Sequence, residues 1–100
     1  MIKMKKAKKK AEVSIVKRRG HMEEYDEKKV YASSYAAAMN VHLGEQRSES
    51  IAEEVMKDLN KWIEGKEEVE SKEIFQEVDR VLEKHDKDAA FMYRTHLDVS

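Results

Sequence analysis

No proline interrupts this chain, and only Gly20, Gly44 and Gly65 offer its backbone an easy reversal across 100 residues. Proline is the usual breaker of helices and glycine the usual residue of tight turns. A chain poor in both is expected to run in long helices joined at few points. At this length one modest core can be buried, not two. With 40% hydrophobic and 41% charged residues, the composition is that of a polar but globular soluble domain. The chain has no cysteine, which excludes disulfides and thiolate metal sites and fits a reducing, cytoplasmic setting. Its longest apolar stretch, "YAAAM" at 35–39, is far too short to span a membrane.

Hydrophobic spacing divides the chain. Residues 1–11, with "KKAKKK", have nothing to bury and read as a basic flexible tail, leaving 12–97 as the folded domain. Val13 and Ile15 alternate with Ser14, which predicts a strand over 12–17. Gly20 can turn the chain so that "HMEEY" at 21–25 returns as a second strand. Asp26 stands as the N-cap of a helix over 27–40, whose narrow face is Val30, Ser34, Ala37 and Val41. "VHLGEQR" at 41–47 reads as a loop, and Ser50 with Glu53 as a capping box opening a second helix that runs to about Glu64. Ile51, Val55, Leu59, Trp62 and Ile63 form its apolar stripe, and Gly65 ends it. Val69 suggests a short third strand. Ser71 is expected to cap a third helix carrying Ile74, Val78, Val81 and Leu82, and Asp88 a fourth, "AAFMYRTHL".

Little in the sequence suggests catalysis. The four histidines are scattered, without HxxxH or HExxH spacing, and read as solvated surface residues. No P-loop, GxGxxG or GxSxG context is present. Carboxylates mostly stand at helical spacing from lysines, as Glu53 does from Lys57. Charge, however, is polarised. Residues 1–20 carry a net +8 and residues 21–100 a net −9, so one end of the molecule invites an anion. The focus is "VKRRG", where Lys17, Arg18 and Arg19 precede Gly20. Arginine forks bind phosphate oxygens bidentately, lysine adds a movable point charge, and glycine lets a ligand approach the backbone. Lys29, in the first turn of a helix whose dipole prefers carboxylates there, would also be relieved by a bound anion. Charge alone leaves two readings open: an anion-binding corner, and an ordinary solvated turn.

The stretch "SIVKRRGHMEEYDEKKVYASSYAAAM" resembles the opening of an ATP-cone domain, the nucleotide-sensing module of many ribonucleotide reductases and of the repressor of their genes. The resemblance rests on Val16-Lys17-Arg18, Gly20, Tyr25-Asp26 and Lys29-Val30, in order and without gaps. "EVESKEIFQEVDRVL" is similar to the segment opening the family's third helix, and "AAFMYRTH" to its closing pattern. Together they cover about residues 12–96. The resemblance implies an α+β fold in which a small three-stranded sheet, an N-terminal hairpin plus one short strand, caps a four-helix bundle. It also implies a nucleotide held under that sheet, ATP or dATP, with or without Mg. Lys17 and Arg18 would then hold phosphates with Lys29 nearby, and Gly20 would keep the turn open. Ile15 and Val16 would line the nucleotide, Glu23 and Asp26 would face the base, and Ser71 would offer a hydroxyl.

Three positions depart from the family pattern. Arg19 replaces the usual Asp or Asn, Phe75 a polar nucleotide contact of some reductases, and Thr95 a lysine of some. No reductase body follows and no zinc ribbon precedes, so the chain is expected to be a free-standing, non-catalytic cone. Nucleotide occupancy would then control oligomerisation or docking to a protein partner in trans. Two other classes compete: a nucleic-acid-binding protein using "KKAKKK" and "KRR" as one footprint, and a cone without its ligand serving as a docking domain. The first lacks aromatic residues interleaved with its cations, as base stacking needs.

Overall fold

The computed structural model describes residues 14–16 and 22–96. In chain order these form β1 (Ser14–Val16), β2 (Met22–Glu24), α1 (Glu27–Asn40), α2 (Glu45–Ile63), β3 (Glu68–Glu70), α3 (Ser71–His85) and α4 (Lys87–His96). The expected basic tail, the turn at 17–21 and the last four residues lie outside the described residues.

The four helices stand where the apolar periodicity puts them, but most of their beginnings differ from expectation. For α1 the expected cap holds: Asp26 is extended, at φ −127°, and its carboxylate accepts from the Lys28 amide at 3.0 Å. For α2 it fails. The helix begins at Glu45, five residues before Ser50, so Ser50 and Glu53 are interior positions and not a capping box. The reason lies in the backbone. His42 at φ 65° and Gly44 at φ 88° complete the reversal after α1, and Glu45, Gln46 and Arg47 are good helix formers that follow at once. Space around Gly44 is open, so its constraint is the left-handed conformation and not crowding.

Two further caps sit one or two residues before the expected ones. Glu70, not Ser71, is the N-cap of α3, and Glu73 accepts from its amide at 2.9 Å. Asp86, not Asp88, caps α4, its carboxylate accepting from the Ala89 amide at 2.9 Å. The expected Glu53–Lys57 pairing is replaced by Glu54–Lys57, one turn apart at 3.8 Å and exposed, which contributes a few tenths of a kcal/mol at most.

α1 packs against α2 and α4, and α3 against α2 and α4, so the four helices close on one core. α2 supplies Ile51, Val55, Leu59 and Ile63, and α3 supplies Val78, Val81 and Leu82. α1 contributes smaller groups, Val30 and Ala37, and α4 contributes Ala89, Ala90 and Tyr93. Small residues on α1 and α4 allow close approach. Large ones on α2 and α3 fill the interior, each buried aliphatic side chain contributing about 1.5–3 kcal/mol.

The strands pair in the order β2-β1-β3. β1 is central, antiparallel to β2 and parallel to β3, and Ile15 stands opposite Glu23 on one side and Val69 on the other. A parallel neighbour requires a long crossover, here supplied by α1 and α2. Tyr25, just after β2, and Val69, in β3, are both buried in the helical core. They anchor the sheet to one end of the bundle. No helix is long and apolar enough to cross a membrane, among the described residues.

Candidate functional site

The sheet end of the bundle collects most of the expected site residues that the structure describes. Ile15 and Val16 are on the central strand, and Glu23 is directly across from Ile15. Asp26 and Lys29 flank the start of α1. Ser71 is the first residue of α3, and the preceding Glu70 pairs with Val16. Lys17, Arg18 and Gly20, which carry the phosphate-binding expectation, lie outside the described residues.

A chain of contacts links the helix ends around this region. The Ser33 hydroxyl donates to the Lys29 carbonyl at 2.9 Å. Ser33 also lies beside the Tyr93 phenol, and the Tyr93 ring stacks on Phe75 with centroids 4.9 Å apart. Phe75 is one helical turn beyond Ser71. The partly buried Phe75 of α3 and the buried Tyr93 of α4 thus form one aromatic pair beside Ser33 of α1. Phe75 is committed to that stack. Burial pushes the Tyr93 phenol well above the ordinary range and the Asp79 charge adds to the rise, while the Ser33 hydrogen bond works against it. Such a phenol stays neutral at physiological pH, a hydrogen-bonding and packing group and not an acid or base.

A second link joins the β2–α1 junction to the last turns of α2. The Tyr25 hydroxyl donates to Asn60 Oδ1 at 3.1 Å, and Asn60 Nδ2 donates to Glu27 Oε1 at 2.8 Å. Tyr25 is raised above the ordinary phenol range by burial first, then by the charges of Glu27 and Asp26. Sequence reasoning missed both Asn60 and Ser33. Asn60 follows the core residue Leu59 and reads as an ordinary outward position on α2. Ser33 precedes the expected face residue Ser34 and reads the same way.

An open depression of about 370 Å³ at the β3 edge is lined by Glu68, Val69, Glu70 and Glu73, three carboxylates that would repel a phosphate. Among the described residues no group of three or more His, Asp or Glu side chains could hold a metal ion. The sheet end therefore has an acidic β3 edge, with Lys29 in the first turn of α1 following β2.

A comparison with family models matches the ATP cone domain over residues 13–96. The chain belongs to the ATP-cone family. No curated protein and no solved structure gave a significant match. ATP cones are nucleotide-sensing regulatory domains with no catalysis of their own. The cone match spans both strands of the expected hairpin, all four helices and the "VKRRG" stretch.

Proposed function

We propose that this cone binds an adenine nucleotide, ATP or dATP, with or without Mg, at the sheet end of its bundle. Occupancy then controls how the cone packs against a second copy of itself or a protein partner in trans. The observation that carries the reading is the cone match across residues 13–96, which includes Lys17, Arg18 and Gly20 in sequence. The clustering of Ile15, Val16, Glu23, Asp26, Lys29 and Ser71 around one end of the fold supports it.

In this reading Lys17 and Arg18 neutralise the triphosphate, with Lys29 contributing from α1. Gly20 permits close approach of the backbone, Ile15 and Val16 line the nucleotide, and Glu23 and Asp26 read the base. Ser71 supplies a hydroxyl from the start of α3. Charge-assisted hydrogen bonds contribute about 1.5–3 kcal/mol each. A nucleotide shifts the packing of the cone only through different affinity for two arrangements, so binding and assembly must be linked.

Titration calorimetry on Lys17→Ala and Arg18→Ala tests the site. Each substitution should weaken ATP binding by about ten- to a hundredfold. Affinity unchanged in both variants would overturn the assignment.

A further inference from the structure

We propose that Asn60 is a positioning residue for base recognition, holding Asp26 in place from both sides. The inference rests on the reading above that the base lies against Glu23 and Asp26.

A single carboxamide on α2 has both of its polar atoms engaged across the fold. Oδ1 accepts from Tyr25 at 3.1 Å and Nδ2 donates to Glu27 at 2.8 Å. Those partners are the two immediate chain neighbours of Asp26. The link from β2 to α1 is only Tyr25 and Asp26, so it has no slack. Tyr25 is 5% exposed, its ring packed in the core and its hydroxyl bonded to Asn60. Asp26 itself is exposed, and its own amide-accepting cap fixes only the local turn. Its position relative to the bundle comes through its neighbours, and both of them hydrogen-bond Asn60.

The chemistry of the clamp is directional. A carboxamide can accept from a phenol and donate to a carboxylate at once, which neither an acid nor an apolar side chain can do. An aspartate at position 60 would face Glu27 with like charge, and a leucine would abandon both partners. Base and phosphate recognition also differ in tolerance. Hydrogen bonds to a base edge weaken steeply when donor and acceptor shift, whereas long, flexible cations follow a displaced phosphate. Loosening Asn60 should therefore erode the choice of base while leaving triphosphate binding intact.

Titration calorimetry of the full chain with ATP, GTP and inorganic tripolyphosphate separates these effects. In Asn60→Leu the preference for ATP over GTP should fall about tenfold, with tripolyphosphate affinity held within about twofold. Adding Asp26→Ala to Asn60→Leu should cost less selectivity than Asp26→Ala costs alone, as expected of residues acting through one another. Tyr25→Phe keeps the ring in the core and removes only the hydroxyl. It should shift selectivity in the same direction, and it carries the test if Asn60→Leu does not fold. An unchanged ATP-to-GTP ratio, or an equal loss for all three ligands, would overturn the clamp while leaving the nucleotide site standing. Wild-type protein that binds none of the three, or binds ATP and GTP equally, would instead overturn the base-reading site and the clamp with it.

Discussion

Ser34 and Ser48 are fully buried on α1 and α2, and among the described residues neither hydroxyl has a hydrogen-bond partner. A buried hydroxyl left unpaired costs about 1–3 kcal/mol, because its hydration is lost with nothing in return. Ser34→Ala and Ser48→Ala should each therefore raise stability by about 0.5–1 kcal/mol, helped by the better helix propensity of alanine. A urea denaturation curve with a higher midpoint and unchanged slope would bear this out; a lower midpoint would mean the hydroxyls do have partners in solution. Tyr25 shows the opposite economy. The residue is also buried, but its hydroxyl finds Asn60, 35 positions away.

Helix beginnings show how a local motif misleads where the backbone decides. Ser50 and Glu53 make the S-x-x-E pattern, yet they stand inside α2, because the positive φ of Gly44 finishes the turn earlier. Asp86 caps α4 although Asp88 stands nearer the apolar run. Asp86→Ala should therefore cost about 1 kcal/mol, and Ser50→Ala no more than about 0.5 kcal/mol. Thermal unfolding of the two variants side by side checks the contrast, and a larger loss from Ser50→Ala would contradict these helix limits. The apolar faces were legible for a physical reason: Ile51, Val55, Leu59 and Ile63 repeat at the helical period because they share one buried side. Val69 was legible as an isolated apolar residue among charges. Of the caps only Asp26 was legible; for the other three helices several polar residues near the start could serve and only φ and ψ choose between them. The same division holds at the candidate site. Lys17, Arg18 and Asp26 announce themselves through local charge and order, whereas Asn60 works through partners 33 and 35 positions away and leaves no mark on its own neighbourhood.

The molecule as a whole is electrically lopsided, with a net +8 over residues 1–20 and −9 over the remainder. The nucleotide reading draws only on the cations at 17 and 18 and on Lys29, and not on the lysines at 3–10. Deleting residues 1–10 should thus leave ATP affinity within about twofold of the full chain. A nucleic-acid footprint built on those lysines would instead lose most of its affinity on deletion, together with its steep salt dependence. Titrating both proteins with ATP and with duplex DNA at two salt concentrations separates the outcomes, and a collapse of ATP binding would show that the tail belongs to the site. The sheet adds a dimension of time. β1 lies between β2 and β3, so during synthesis it gains its second neighbour only after α1 and α2 have been made. A nascent chain therefore holds β1 with one neighbour until β3 has been made, so the sheet end where the proposed site lies is complete only once α1 and α2 have been synthesised.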